Sequence, residues 1–397
     1  MIILNFDTTQ QMAINKAIEW LKYGTKTKNE FVIAGLAGTG KSTVIPSIIE
    51  GSDVRPSRVL YIAFTGAVCN MLTARGIPAK TIHSTIYMNE KRYNAEKGKY
   101  VYITILKEPE MLKEYDLFVL DELSTVNDKL MTDLRTFNIP ILCMGDPGQF
   151  KAIGGSDISQ SLLQMPDVFF KTVYRNGGDL LDCAYKARRG DFSFLKKGFN
   201  GSNLGIISKY DTQTVDLISL NASQIISHSN KERIQINDRI RLLKGYEGVL
   251  PNVGEKIICI ENNWDVTSNT GILSLTNGMQ GIVTSVAQDE QEQEYYVYNM
   301  SFRNNILKNE EFNNLKCDET VYTGDEFAST FHAERRLMFN VDIFNQFDYG
   351  YAITGYKSQG SQWKQGLVMG AKMNMEELSR YYYTVMTRFE KRVIIAI

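Results

Sequence analysis

The sequence predicts an α/β protein built on parallel sheets, with a phosphate-binding loop after its first strand. Apolar runs of strand length, separated by helical patterns, occur at residues 31–34, 59–64, 117–120 and 139–144. This alternation is typical of βαβ units, whose strands lie side by side in a parallel sheet. The first run leads directly into residues 35–43, which match the pattern G-x-x-x-x-G-K-[ST]. These two observations determine the predicted fold class.

The glycine-rich loop has the residue types that phosphate binding needs. Glycines allow its backbone N–H groups to turn inward, and the helix that follows adds the positive end of its dipole. Lys41 would place its ammonium on the β- and γ-phosphates, and the Ser42 hydroxyl suits a Mg²⁺ site. A glycine-rich turn without a ligand is the weaker interpretation, because the strand before the loop is also present. The predicted nucleoside triphosphate contacts are Gly35, Ala37, Gly38, Thr39, Gly40, Lys41, Ser42 and Thr43.

The remaining elements follow the chain in order. Apolar residues at a helical period predict a helix over 7–21, capped by Thr8 or Thr9, and Pro46 predicts a bend in the helix after the loop. A tyrosine-rich stretch, 87–107, predicts a protruding β-hairpin. Further on we expect helices at 179–189, 231–243 and 377–386, a strand at 224–226, short β runs after residue 281, and a closing strand at 392–397.

Composition and charge narrow the class of protein. The chain has 397 residues, of which 43% are hydrophobic and 22% charged, as in ordinary globular proteins of two or three domains. Its five cysteines are scattered and its three histidines are far apart, which argues against a disulfide framework or a zinc site and for reduced thiols in a cytoplasm. The formal net charge is −1, so binding to nucleic acid would need a local basic track. No run is apolar over the length of a membrane span, and no signal peptide is evident.

A second predicted nucleotide-binding element follows the third apolar run, residues 117–120. Asp121, at the end of that predicted strand, can hold Mg²⁺, and Glu122 can orient and deprotonate an attacking water. After the next predicted strand, the amide of Gln149 can contact the γ-phosphate or the water. An acidic loop after a core strand is the alternative, which the phosphate-binding loop upstream disfavours.

The order of these pieces resembles the superfamily 1B helicases, the RecD-like branch that includes the Dda-like helicases of bacteriophages. The resemblance spans nearly the whole chain. It rests on segments similar to the motifs of that family, at residues 6–13, 35–43, 63–67, 80–84, 121–124, 145–150, 173–176, 349–361 and 383–388. The sequence departs from the family at Tyr356, where histidine is common, and at Lys151 and Ala152, where prolines are common.

The resemblance implies ATP with Mg²⁺ in a cleft between two RecA-like P-loop NTPase domains. Gln10 would read adenine, Arg175 and Arg388 would reach the γ-phosphate from the far side of the cleft, and Gly360 would lie near phosphate. We expect domain 1 at 1–172 with the hairpin insert at about 87–107, and domain 2 at 173–397 with a small β-barrel-like insert at about 284–345.

Single-stranded DNA would then lie across both domains. The predicted contacts are Thr65, Thr81, His83, Ser84, Thr354, Lys357 and Ser358, with Tyr93 or Tyr100 as a strand-separating wedge at a junction of single-stranded and duplex DNA. His83 is equally well explained as a structural histidine, and the hairpin tyrosines as inward-packing residues.

The leading hypothesis is a 5′-to-3′ DNA helicase of replication, recombination or repair, acting as a monomer in the cytoplasm of a phage-infected or bacterial cell, without a membrane. Its partners would include replication or recombination proteins. The alternatives are an RNA helicase, a translocase that displaces proteins, and an ATP-gated accessory subunit. A small-molecule kinase fits the phosphate-binding loop but not the later motifs. The polarity comes from the resemblance alone.

Overall fold

The computed structural model describes residues 5–94, 99–174, 178–288, 297–323 and 344–397. The strands are β1 Glu30–Gly35, β2 Val59–Ala63, β3 Ala79–Thr81, β4 Tyr87–Asn94, β5 Lys99–Leu106, β6 Leu117–Asp121, β7 Ile141–Gly145, β8 Val168–Phe170, β9 Leu204–Ile207, β10 Gln224–Ser227, β11 Lys256–Cys259, β12 Asn263–Thr267, β13 Ser274–Leu275, β14 Gln280–Gln288, β15 Val297–Asn304, β16 Glu311–Asp318, β17 Phe347–Tyr349, β18 Ala352–Thr354, β19 Trp363–Met369 and β20 Phe389–Ala396. The α-helices are α1 Thr8–Glu19, α2 Ile45–Gly51, α3 Gly66–Ala74, α4 Ile82–Ile86, α5 Asp128–Arg135, α6 Asp157–Gln164, α7 Gly178–Arg188, α8 Thr212–Asn221, α9 Asn230–Lys244, α10 Thr320–Thr323 and α11 Met375–Met386.

The first parallel sheet has the strand order β3-β2-β6-β7-β1-β8. We call this sheet and the helices packed on it the first α/β unit. Its apolar strands are buried on both faces, as is usual for a parallel sheet between helices. In its register Ala34 pairs with Gly145, and Ala63 pairs with Asp121. The carboxyl ends of β1, β2, β6 and β7 therefore meet at one edge, where open α/β sheets bind ligands.

The second parallel sheet has the strand order β18-β10-β19-β20-β9. Helices α7 and α11 pack together against it, and their shared core includes the buried aromatic side chains Phe194, Tyr381, Tyr382 and Tyr383. This sheet and its helices form the second α/β unit. Two parallel sheets with helices confirm the predicted fold class.

A five-stranded antiparallel sheet interrupts the second unit, in the order β16-β15-β14-β11-β17. Its strands come from residues 256–349, a wider span than the insert predicted at about 284–345. The predicted hairpin is present as β4 and β5, paired from Tyr87 opposite Leu106 to Asn94 opposite Lys99. Among the described residues, no helix is both long and apolar enough to cross a membrane.

Two local expectations differ from the structure. Helix α1 is capped by Asp7, because its carboxylate accepts the Gln10 N–H at 2.7 Å while the Gln10 side chain accepts the Asp7 N–H at 3.2 Å, a reciprocal capping box. Pro46 bends no helix. A 3₁₀ turn, Lys41–Val44, follows the loop, and α2 begins after it with Pro46 in its first turn, where proline removes no hydrogen bond.

Candidate functional site

A cleft between the two α/β units gathers most of the predicted nucleotide contacts. It is lined by the loop residues 37–42, by Asp121, Glu122 and Gln149, and by Gly360 and Arg388 from the second unit. Side chains far apart in sequence thus face one space. Arg175 lies outside the described residues.

The phosphate-binding loop has the backbone that its glycines predict. Gly38 and Gly40 have φ angles of 79° and 74°, in the left-handed region that favours glycine. At Gly35 a side chain is excluded by space, since a Cβ there would lie 2.7 Å from the Cβ of Phe170. The Lys41 ammonium donates to the Gly35 and Leu36 carbonyls, at 2.9 and 3.0 Å, so its charge lies within the curve of the loop.

Gln10 braces the loop. Its side chain is 5% exposed, and its Nε2 donates to the Thr39 carbonyl at 3.3 Å while its oxygen completes the cap of α1. An amide has two N–H donors and two acceptor positions, so these bonds leave one of each for a ligand. Adenine recognition by Gln10 stays a prediction.

Asp121 and Glu122 form an acidic pair at the end of β6. Burial, with the neighbouring charge of Glu122, raises the pKa of Asp121 to about 6, while Lys41 acts in the opposite direction. The Glu122 N–H donates to Asp121 Oδ1 at 2.9 Å. Oxygen donors from Asp121 and Ser42 in one cleft fit Mg²⁺, which prefers carboxylate and hydroxyl ligands.

Arg388 reaches this acidic pair from the second unit. Its guanidinium is almost buried, with Nη1 3.5 Å from Glu122 Oε1. In the orientation that satisfies both neighbours, the Gln149 amide donates to Glu122 Oε2 at 3.3 Å and accepts from Arg388 Nη2 at 3.1 Å. Glutamate, glutamine and arginine therefore form one cluster that joins the two units.

The second unit also holds the loop that carries Gln149. Arg380 donates to the carbonyls of Pro147 and Gln149, at 2.9 and 2.5 Å. The ring of Tyr356 stacks on Phe150 with 4.4 Å between centroids. Tyr356, a departure from the family pattern, thus contributes to the contact between the units.

Lys151, the other departure, forms an ion pair with Glu376 at 2.8 Å. Both side chains are well exposed, so this pair adds little stability.

Tyr174 is a cleft residue that the sequence did not suggest. Its ring is 52% exposed, its backbone N–H donates to Gly38 at 3.0 Å, and its hydroxyl donates to Asp7 Oδ2 at 2.5 Å. That hydrogen bond is the main reason why the pKa of Asp7 is lowered. The sequence feature that could have pointed to Tyr174 was its position directly before Arg175, a predicted γ-phosphate contact.

The predicted DNA contacts divide into buried and accessible residues. Thr81 is 4% exposed and caps α4, with its hydroxyl donating to Ser84 Oγ at 3.0 Å. Ser358 is fully buried and donates to the Gly355 carbonyl at 2.6 Å. In this conformation neither side chain offers surface to a strand, because each stabilises a local turn. Thr65, which caps α3, and Thr354 are half-buried.

Lys357 is also half-buried. Burial, with the charge of Arg233, lowers the pKa of its ammonium. This residue is the one cation among the predicted DNA contacts.

The rings of Phe64, His83 and Tyr87 form a row between the end of β2 and the start of the hairpin. Phe64 is 36% exposed, and its ring centroid lies 5.8 Å from that of His83, which lies 5.7 Å from that of Tyr87. Burial lowers the pKa of His83, so this ring is neutral at pH 7. Phe64 was missed because an apolar residue ending a strand is usually read as core.

The hairpin tyrosines sit opposite each other. Tyr93 is 59% exposed on β4, and its backbone pairs with that of Tyr100 on β5. The side chain of Tyr100 lies outside what the structure describes.

Comparisons with known proteins match the chain to one family model and to two relatives of low identity. A family model described as an AAA domain matches residues 10–197. Over 352 residues, 83% of this chain, the sequence is 21% identical to a probable conjugal transfer protein TraA of Sinorhizobium fredii. Over 193 residues it is 27% identical to the uncharacterized protein R530 of Acanthamoeba polyphaga mimivirus. The matches cover 28% and 36% of these two relatives, so the chain spans about a third of their length or less.

Solved structures match over almost the full length. The Pif1 helicase of Candida albicans superimposes with a TM-score of 0.54 at 16% identity, covering 99% of this chain and 94% of that one. The Bacteroides Pif1 helicase in complex with ADP-AlF3 and single-stranded DNA gives 0.52 at 14% identity, covering 99% and 93%. At such low identities the likeness concerns the fold.

Proposed function

We propose that this chain, which has the fold of the superfamily 1B helicases, is an ATP-driven DNA helicase that translocates 5′-to-3′ on single-stranded DNA and unwinds duplex. The polarity and the translocation are carried over from the family that the motifs resemble. The same assignment includes action as a monomer at a junction of single-stranded and duplex DNA.

The observation that carries the proposal is the cluster of Glu122, Gln149 and Arg388. Glu122 and Gln149 belong to the first α/β unit and Arg388 to the second, yet they lie within 3.1–3.5 Å of one another. An arginine placed so can stabilise transition-state charge only when the two units approach. Hydrolysis is thereby coupled to a movement of one unit against the other, which a motor needs.

Each cleft residue has a proposed role. The loop N–H groups and Lys41 bind the phosphates, and Ser42 and Asp121 hold Mg²⁺, which when bound neutralises charge on the phosphates. Glu122 takes a proton from the attacking water, and Gln149 orients that water. Arg388 is the arginine finger, and Arg175 its proposed companion.

We place the strand beside the aromatic row of Phe64 and His83. Stacking on aromatic rings binds bases without regard to sequence, which suits a motor that must move along any strand. One solved relative, the Bacteroides Pif1 helicase, was crystallised with single-stranded DNA. Tyr93, exposed on the hairpin, is the proposed wedge.

The test is strand displacement on partial duplexes that carry only a 5′ or only a 3′ single-stranded tail, with ATP. We expect the wild type to unwind the 5′-tailed substrate alone. Lys41→Ala should unwind neither, because the phosphates lose their cation. Lys151→Ala is the matched control, since that ammonium pairs with Glu376 outside the cleft.

Other outcomes separate the alternatives. Unwinding from the 3′ tail would reverse the polarity. Strand-stimulated ATP hydrolysis without displacement on either tail would indicate a translocase, and an RNA strand that stimulates better than DNA would indicate an RNA helicase. ATP binding without stimulated hydrolysis would indicate an accessory subunit.

A further inference from the structure

Two tyrosine hydroxyls of the second unit form hydrogen bonds with the backbone N–H and C=O of one residue in the phosphate-binding loop. The Ala37 N–H donates to Tyr383 Oη at 2.9 Å, and Tyr185 Oη donates to the Ala37 carbonyl at 2.9 Å. Tyr383 is on α11 and Tyr185 on α7, and their rings lie 6.0 Å apart. Neither tyrosine belongs to the cluster of Glu122, Gln149 and Arg388.

The hydroxyl of Tyr383 has a second partner in the first unit. It donates to Asp146 Oδ2 at 2.6 Å, and both side chains are fully buried. A phenol has one proton to donate. The Tyr383 hydroxyl therefore donates to the Asp146 carboxylate and accepts a hydrogen bond from the Ala37 N–H. One atom thus bridges the phosphate-binding loop and the loop that carries Gln149.

Arg188 completes the arrangement. Its guanidinium lies 3.7 Å from Asp146 Oδ1 and 5.3 Å from the centre of the Tyr383 ring. The guanidinium also packs closely on Gly148, where a Cβ would lie 2.6 Å from Arg188 Nε. Side chains from α7 and α11 therefore hold both loops of the cleft.

We propose that Tyr383 is a positioning residue whose hydroxyl latches the phosphate-binding loop to the second α/β unit when the cleft is closed. A hydrogen bond of 2.9 Å is lost when its partners separate by about 1 Å, so the latch exists only in the closed arrangement. The closed arrangement is also the one that brings Arg388 to Glu122. The latch rests on the proposed function, because it stabilises the state in which hydrolysis occurs.

The effect on kinetics follows from where the latch acts. The first unit alone presents the loop N–H groups and Lys41, so ATP can bind before the units close. Loss of the latch should lower the fraction of closed enzyme and hence the turnover number, while the KM for ATP changes little.

The substitution Tyr383→Phe removes the hydroxyl and keeps the ring. Tyr381→Phe is the matched control, because Tyr381 lies on the same helix, is 1% exposed, and donates its hydroxyl to Met369 within the second unit at 2.7 Å. We expect Tyr383→Phe to lower DNA-stimulated kcat about tenfold, with KM within about twofold of wild type. Tyr381→Phe should change both by less than about twofold.

Closure can be measured without hydrolysis. Tyr23 in the first unit and Tyr210 in the second are each 80% exposed, so Tyr23→Cys and Tyr210→Cys provide sites for a donor and an acceptor dye. With single-stranded DNA and a non-hydrolysable ATP analogue, Tyr383→Phe should reduce the closed population relative to Tyr381→Phe.

The outcomes distinguish the latch from the motor. If Tyr383→Phe and Tyr381→Phe have the same DNA-stimulated kcat and the same closed population, the proposal that Tyr383 acts as a latch is wrong. If the wild type shows no DNA-stimulated ATP hydrolysis, the proposed function fails, and closure alone decides for or against the latch.

Discussion

Glu122 has a backbone conformation that residues with a side chain rarely adopt. Its φ is 56°, in the left-handed region, where a Cβ is crowded. Thr125 holds this turn by donating its N–H and its hydroxyl to the Glu122 carbonyl, at 2.9 and 2.7 Å. Such conformations persist where the surroundings enforce them, commonly at functional sites. The turn places the Asp121 and Glu122 carboxylates on the same cleft.

His83 gives a prediction about pH. Burial, and then the charge of Lys129, lower its pKa below the ordinary 6.5, to which unfolding returns it. The unfolded chain therefore binds more protons between these two values. The stability that the neutral ring contributes is fully present above pH 6.5 and is lost as the pH falls through the folded-state pKa.

Proton NMR can check this, because the chain has only three histidines. The signal that disappears in His83→Gln belongs to His83, and it should titrate below 6.5 in the folded protein. A midpoint at or above 6.5 would contradict the burial argument. Because the ring is neutral, the proposed contact of His83 with DNA is stacking on a base. It would add no ionic, salt-dependent contribution to DNA binding.

At this scale the sequence predicted types of side chain better than their hydrogen bonds. Lys41 and Asp121 were found from local motifs and Arg388 from the family resemblance, and all three face one cleft. Their roles stay predictions. Tyr383 could not be assigned a partner, because its contacts at Ala37 and Asp146 are each more than 230 residues distant.

The hairpin of β4 and β5 is anchored at its base by polar contacts. The hydroxyl of Tyr87 donates to Asp133 of α5, and Lys129 donates to Tyr87 Oη at 2.9 Å. On the neighbouring side, Lys107 donates to the carbonyls of Ser84 and Thr85, both at 2.9 Å. The strand-separating role predicted for this hairpin would need such a fixed base.

Replacement of both Tyr93 and Tyr100 by alanine tests the pin. We expect strand displacement to be abolished and DNA-stimulated ATP hydrolysis to remain within about twofold of wild type, because the cleft is untouched. Tyr23→Ala serves as control, since this tyrosine is also exposed but lies at the end of the first helical segment, away from the hairpin. Equal loss of both activities, or of neither, would argue against the wedge.

At the level of elements, long and periodic stretches were predicted well and short ones were not. The structure confirms the predicted strands of the first sheet and the hairpin. Strands β3 and β8, each of three residues, were missed because so few residues show no alternation. The cap of α1 was placed one or two residues late, since aspartate and threonine are both good caps and only geometry chooses between them.

For the whole molecule, the motifs predicted an α/β fold of two RecA-like domains, and the superposition on Pif1 helicases, with TM-scores of 0.54, supports that fold. A particular likeness to the Dda-like group is not shown, and the domain boundaries stay predictions. The antiparallel sheet begins earlier than predicted because β11 pairs with β17, about 90 residues further along the chain. Pairings over such distances leave no periodic signal in the sequence.

The buried cysteines give a prediction for the folded chain. All five thiols are buried, and burial raises the pKa of both Cys69 and Cys259 to about 12. Thiolates are the reactive form, so a thiol reagent such as Ellman's should modify fewer than about one cysteine per native chain. In denaturant all five should react at once. Rapid reaction of the native chain would mean that a described cysteine becomes exposed.

Only two residues join strand β17 of the antiparallel sheet to strand β18, which leads into the predicted DNA-contact loop. Strand β17 ends at Tyr349 and β18 begins at Ala352, and Asn237 bonds to both sides of the junction: its amide donates to the Tyr349 carbonyl at 3.0 Å and accepts the Ala352 N–H at 2.8 Å. Gly350 lies against the backbone of Ile257, where a Cβ would meet the carbonyl carbon at 2.9 Å. A joint so short and so fully bonded has no slack. We therefore expect a displacement of the antiparallel sheet to move residues 355–358 with it, including Lys357, a predicted DNA contact.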